Sequence, residues 1–125
     1  MMRILLVDDE NELVSTLSER LQMRGFEADW ATDAEDALSA VIKRKYDVAV
    51  LDVKIPRISG LNLKRRMEKL QPKMKFIFMT GHGSEKDFRM GVAEAGEAFY
   101  LVKPVKIDTL IEKIHNVLKT GDMEE

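Results

Sequence analysis

Four runs of four apolar residues recur along the 125-residue chain, and each ends in a residue with chemistry to offer. Ile4-Leu5-Leu6-Val7 runs into Asp8-Asp9, and Val48-Ala49-Val50-Leu51 runs into Asp52. Phe76-Ile77-Phe78-Met79 leads to Thr80-Gly81, and Phe99-Tyr100-Leu101-Val102 leads to Lys103-Pro104. Continuous apolar runs of this length, separated by helix-length segments, read as strands covered on both faces. That is a parallel sheet between two layers of helices. In such an open sheet the carboxyl ends of the strands share one edge, where ligands bind. One crevice holding acids, a hydroxyl and an amine is therefore expected, and such a set suits the handling of phosphate.

The intervening segments complete the alternation. A first helix is expected from about Asn11 to Arg24, with Leu13, Val14, Leu17 and Leu21 on one face and Gly25 as its left-handed stop. Phe26 to Trp30 is short and alternating, which suits an edge strand. Thr32 is expected to cap the second helix, with Glu35 closing a capping box and Ala37, Leu38, Val41 and Ile42 facing the core. The third strand is placed at Asp47 to Leu51. A third helix begins near Gly60, carries Leu61, Met67 and Leu70, and stops before Pro72. Lys75 to Met79 is the fourth strand. Ser84 and Asp87 open a fourth helix, which Gly91 weakens by about 1 kcal/mol relative to Ala. Ala98 to Val102 is the fifth strand. The last helix follows Pro104, with Leu110, Ile111, Ile114, Val117 and Leu118 on its buried stripe, and Thr120 to Glu125 reads as a frayed tail.

The fold class that results is α/β, a doubly wound five-stranded parallel sheet with helices on both faces. The strand order expected is 2-1-3-4-5. Residues 1–120 form one domain, and 121–125 are a tail or the start of a linker. Strands one and three are neighbours in that order, so Asp8, Asp9 and Asp52 meet where the winding reverses.

Composition narrows the chemistry. The net charge of −2 gives no support for a nucleic-acid surface, and the absence of cysteine removes disulfides and thiolate metal sites. No apolar run approaches the roughly 18 residues of a membrane span, and the run between Arg3 and Asp8 is too short for a secretory signal. A cytoplasmic domain that touches neither membrane nor nucleic acid is expected.

Three carboxylates in one crevice repel each other unless a proton or a cation neutralises them. An all-oxygen set without His or Cys suits Mg²⁺, or Mn²⁺ in its place, and argues against zinc. A lone Asp at a strand end is ordinarily a helix cap. A pair, with a second strand-end Asp at the switch point, is not so easily explained that way. Glu10, the third acid in its run, reads as first-turn charge facing the helix dipole. Thr80 can donate to a phosphoryl oxygen, and Gly81 leaves that side open. Lys103 can act as a point charge on a phosphate.

Together these residues resemble the receiver domain of two-component response regulators, over essentially the whole chain. The resemblance rests on Leu5-Leu6-Val7-Asp8-Asp9-Glu10, on Leu51-Asp52-Val53-Lys54-Ile55-Pro56 with Gly60, on Met79-Thr80-Gly81-His82-Gly83 and on Tyr100-Leu101-Val102-Lys103-Pro104. It implies a flavodoxin-like receiver fold with Asp52 as phosphoacceptor. It also implies that Asp9 ligates the metal directly, that Asp8 acts mainly through water, and that Asp52 and the Lys54 backbone carbonyl complete the set. By the same resemblance Thr80 and Lys103 hold the phosphoryl group. Tyr100 would be the switch aromatic that turns inward as Thr80 is drawn to the phosphate, and the Lys103-Pro104 bond would be cis. Gly96-Glu97-Ala98-Phe99 departs from the usual segment before the aromatic, which affects local loop packing and not the chemistry. The Met79 to Gly83 stretch is similar to receivers of the nitrogen-regulator type.

The resemblance implies a sensor histidine kinase or phosphotransfer protein as donor. Downstream it implies an output domain or protein, such as a transcriptional regulator. The domain would catalyse only its own phosphorylation and dephosphorylation. Lys54 and His82, each two residues past a site residue, are expected to border the water path and tune the lifetime of the phosphoryl group. The face made by the helix after Ser84, the fifth strand and the last helix is expected to change most. Competing readings are a flavodoxin-like small-ligand binder, a Mg²⁺-dependent phosphohydrolase, and a degenerate receiver that only docks. The first would need a phosphate loop where Asp8-Asp9-Glu10 stands, and the second a cap domain for which 125 residues leave no room.

Overall fold

The computed structural model describes residues 2–81 and 99–123. In chain order its elements are β1 (Arg3–Val7), α1 (Asn11–Met23), β2 (Glu27–Ala31), α2 (Ala34–Lys43) and β3 (Val48–Asp52). Then follow β4 (Lys54–Ile55), β5 (Ile58–Ser59), α3 (Gly60–Leu70), β6 (Lys75–Thr80), β7 (Phe99–Val102) and α4 (Ile107–Met123). The main sheet is parallel, in the order β2-β1-β3-β6-β7. β6 and β7 are its fourth and fifth strands, so the expected order is met. The expected fourth helix, with Ser84, Asp87 and Gly91, lies outside the described residues, as do His82 and Gly83.

Strand periodicity divides the core into two slabs, because successive side chains point to opposite faces. Leu5, Val7, Ala49, Leu51, Phe76 and Phe78 pack with Ala37 and Val41 of α2 and Leu63 and Met67 of α3. Ile4, Leu6, Val48, Val50, Ile77 and Met79 pack on the other face against Val14, Leu17 and Leu21 of α1 and Leu110, Ile114 and Val117 of α4. Each fully buried Leu, Ile, Val or Met contributes roughly 1.5–3 kcal/mol over its exposed state. The apolar slabs are therefore large enough to tolerate an unfavourable charged cluster at the sheet edge.

Several local expectations shift. β2 starts one residue later than expected because Arg3 to Val7 pair with Glu27 to Ala31. Ala31 is then strand, and the cap moves from Thr32 to Asp33, whose carboxylate accepts from the Asp36 N–H at 2.8 Å. Ile42 and Leu70 fall off their helices' buried faces and are exposed, whereas Leu63 is fully buried in α3. α4 continues to Met123, past the expected start of a tail at Thr120. No proline interrupts its hydrogen-bond ladder, and propagating a formed helix costs little. Gly25, at φ +90°, terminates α1 as expected.

A short β4–β5 hairpin, which no apolar run or turn glycine signals, follows β3. Lys54 pairs with Ser59 and Ile55 with Ile58, leaving Pro56-Arg57 as the turn. Arg57 has φ +73°, the conformation a type II turn needs after proline and one that Gly or Asn normally supplies. The hairpin returns the chain to Gly60, whose N–H donates to the Val53 carbonyl at 2.8 Å. A Cβ at Gly60 would run into the backbone carbonyl of Asp52 and the Cα of Val53. Gly60 thus lets α3 start directly against the strand end that carries Asp52. Gly60→Ala is expected to lower stability by about 1–3 kcal/mol, the usual cost of overpacking a rigid contact. A urea unfolding midpoint equal to the native one would contradict that.

Candidate functional site

Periodicity also aims the site. Asp8, Asp52 and Lys103 stand two residues beyond Leu6, Val50 and Leu101, all of which face α1 and α4. The same alternation carries all three side chains toward one side of the sheet edge. There Lys103 Nζ lies 2.7 Å from Asp8 Oδ2, 3.0 Å from Glu10 Oε1 and 3.3 Å from Asp52 Oδ2. The contact to Asp8 is an ion pair rather than an aligned hydrogen bond. The second oxygen of Asp8 accepts from the Glu10 N–H at 2.9 Å, and that of Asp52 accepts from the Lys54 N–H at 3.2 Å. The Lys103-Pro104 bond is cis, as the resemblance implies.

Asp8 and Asp52 are buried, and Asp9 is exposed. One carboxylate oxygen from each of the three lies within 4.8 Å of the others. An all-oxygen set of that spacing and charge fits a hard divalent cation. Burial pushes the Asp8 carboxyl up to about 6, against the opposing pull of Lys103 and of the Glu10 N–H. Burial alone would lower the Lys103 amine, but its contacts with Asp8 and Glu10 and the charge of Asp52 outweigh that and hold it above the usual lysine range.

Thr80 ends β6 with its hydroxyl oxygen buried and without a hydrogen-bond partner among the described residues. A buried, unpartnered hydroxyl costs free energy unless something fills its site. Among the described residues, a Cβ at Gly81 beside it would meet nothing nearer than the Lys103 side chain at 4.0 Å. Tyr100 pairs with Phe78 across the sheet and is half exposed. Lys54 is exposed at the start of the hairpin.

The structure thus brings together Asp8, Asp9, Asp52 and Lys103. Glu10 joins them, although the sequence reading gave it to the helix dipole alone. It is the N-cap residue of α1, but its side chain makes no capping hydrogen bond. Its carboxylate turns to Lys103 instead, a contact across 93 positions that no local pattern encodes.

Comparison with known proteins gives the family. The profile of the response regulator receiver domain matches residues 4–115. The chain belongs to this family. It is 36% identical over 125 residues to the transcriptional regulatory protein CpxR of Klebsiella pneumoniae, covering 100% of this chain and 53% of that protein. It is 31% identical over 118 residues to the transcriptional regulatory protein RprY of Bacteroides fragilis, covering 94% and 50%. The chain spans about half the length of these curated relatives. Among solved structures it resembles a CheY-like response regulator receiver domain protein from Methanospirillum hungatei. The TM-score is 0.87 at 31% identity, over 100% of this chain and 99% of that one. NtrX from Brucella abortus superposes with a TM-score of 0.88 at 29% identity, over 99% of this chain and 29% of that one. The chain is therefore a receiver domain of two-component signal transduction, a signalling module built on the doubly wound fold. Among the described residues no helix is long and apolar enough to cross a membrane.

The raised Asp8 carboxyl has a stability signature. Below about pH 6 folded Asp8 carries a proton that the unfolded chain, with its carboxyl near 3.8, takes up only in stronger acid. Folding therefore binds a proton between those limits, and Asp8's contribution to stability falls as pH rises from about 4 through 6. In metal-free buffer, Asp8→Asn is expected to gain stability over the native chain at pH 7.5 and to lose most of that gain at pH 4.5. Urea unfolding at the two pH values checks this, and a pH-independent difference would refute it.

Proposed function

We propose that Asp52 is the phosphoacceptor of this receiver domain and that Lys103 and Thr80 hold the phosphoryl group it receives. The observation that carries the reading is the arrangement around one carboxylate. Asp52 Oδ2 lies 3.3 Å from the Lys103 ammonium, and the buried hydroxyl of Thr80, without a partner among the described residues, ends the adjacent strand. The donor is a phosphohistidine on a sensor kinase or phosphotransfer protein. An Asp52 oxygen forms the new P–O bond while the P–N bond to the donor imidazole breaks and its electron pair leaves on nitrogen. The domain contributes chiefly position and charge, as phosphoryl transfer requires. Backbone donation from Lys54 fixes one Asp52 oxygen and leaves the other turned toward Lys103.

Asp8, Asp9 and Asp52, with the Lys54 carbonyl, would hold Mg²⁺, which when bound supplies positive charge to the phosphoryl oxygens. Thr80 donates to one of those oxygens and thereby leaves the space on its inner side to Tyr100. Phosphate changes the population of two conformations only as far as it binds one better. The face of β7 and α4 around Tyr100 is the surface read by the output. That output is a transcriptional regulatory domain or protein, given that the similar proteins CpxR and RprY are named as such and are about twice this chain's length. Lys54 borders the path by which water clears the aspartyl phosphate.

Incubation with acetyl phosphate and Mg²⁺, followed by intact mass, tests the acceptor. The native chain is expected to gain one phosphate and Asp52→Asn none. Lys103→Met is expected to lose at least about tenfold in rate, the scale of removing a charged group that acts in the transition state. Equal gains in the native chain and Asp52→Asn would defeat the reading.

A further inference from the structure

An ammonium group has three N–H donors. Lys103 faces three carboxylates, Asp8 at 2.7 Å, Glu10 at 3.0 Å and Asp52 at 3.3 Å. Two of those contacts, to Glu10 and Asp52, are hydrogen bonds and the third is an ion pair, so the ammonium is engaged by all three acids before any phosphoryl group arrives. Asp8 and Asp52 are buried, but 63% of the Glu10 side chain is exposed. Glu10 is therefore the partner that water can take back at little cost, since exposed ion pairs contribute little. Its backbone is tied to the acid cluster by the N–H donated to Asp8, so the carboxylate stays at the rim even when it releases Lys103.

We propose that Glu10 restrains phosphoryl transfer: its carboxylate holds an N–H donor of Lys103 and sets a negative charge at the crevice mouth, and both must yield to an incoming phosphoryl group. The proposal rests on the reading of Asp52 as acceptor. It gives Glu10 a positioning role that acts through Lys103. A dianionic phosphodonor meets the Glu10 charge on its way in, and its oxygens compete with Glu10 for the same N–H. Asp8 and Asp9 carry charge too, but they belong to the set that a divalent cation neutralises. Glu10 stands outside that set, so a cation held there does not ligate its carboxylate.

The test compares the native chain with Glu10→Gln and Glu10→Ala. Because the Glu10 side chain is exposed and caps nothing, neither substitution removes a folding contact other than the one to Lys103. Phosphorylation is followed by intact mass with Mg²⁺ at low and high salt, using acetyl phosphate and the less highly charged phosphoramidate. With acetyl phosphate at low salt both variants are expected to react about three- to tenfold faster, the effect of one partly screened charge a few ångströms away. The gain should shrink at high salt and be smaller with phosphoramidate. A merely structural role would move neither dependence. Rates equal to or below the native one, or a gain that ignores both salt and donor charge, would overturn the proposal and leave the acceptor reading standing. A native chain that takes up no phosphate would defeat the acceptor reading first, and the restraint with it.

Discussion

Among the described residues, Asp8, Asp9, Glu10 and Asp52 gather with the Lys103 ammonium at the carboxyl edge of the sheet, and the site depends on that imbalance. Asp8 is fully buried, yet its charge is held in place by an ion pair with Lys103 and an N–H from Glu10. The same lysine also faces Asp52 and Glu10. One cation cannot satisfy so many anions, so the crevice is poised to take up more positive charge. Burial already drives Asp8 toward holding a proton. A divalent cation would meet the same need with oxygen ligands already gathered.

That strained electrostatic arrangement persists because the apolar layers beneath it are rigid. β1 and β3 lie side by side in fixed register, Ile4 to Val7 against Val48 to Leu51. Immediately beyond those fully buried positions, Asp8 and Asp52 have little freedom to move apart. Gly60 adds a second restraint by bringing α3 against the Asp52 backbone. Against this fixed half stand the exposed Glu10 carboxylate, the Thr80 hydroxyl without a partner among the described residues and the half-exposed Tyr100 ring. A switch needs both kinds, since a ligand shifts a population only through contacts that differ between the two states.

The sheet was legible from the residues because buried parallel strands are written as unbroken apolar runs, and each run ends at the edge of the sheet that holds the crevice. Gly25 was equally plain, since a left-handed stop needs a glycine. What escaped was set by tertiary geometry. The cap moved from Thr32 to Asp33 because the β1–β2 register claimed Ala31. Ile42 and Leu70 have apolar side chains at near-helical spacing, but they lie off the faces that their helices turn to the core, as the buried Val41 beside Ile42 shows. The β4–β5 hairpin was hidden because Arg57 occupies a turn position where glycine would have signalled it. Glu10 was assigned to the helix dipole, the local reading, whereas its partner Lys103 comes from the far end of the chain.

The account stands or falls on what Lys103 and Thr80 do when a phosphoryl-like group sits on Asp52. A structure of the chain with Mg²⁺ and fluoroberyllate, which mimics an aspartyl phosphate, measures this directly. The account predicts beryllium bonded to Asp52, with Lys103 Nζ and Thr80 Oγ1 each hydrogen-bonded to a fluorine and Glu10 released from Lys103. Beryllium bound to Asp8 or Asp9, or a Lys103 still held by Glu10 while Thr80 remains unpartnered, would contradict it.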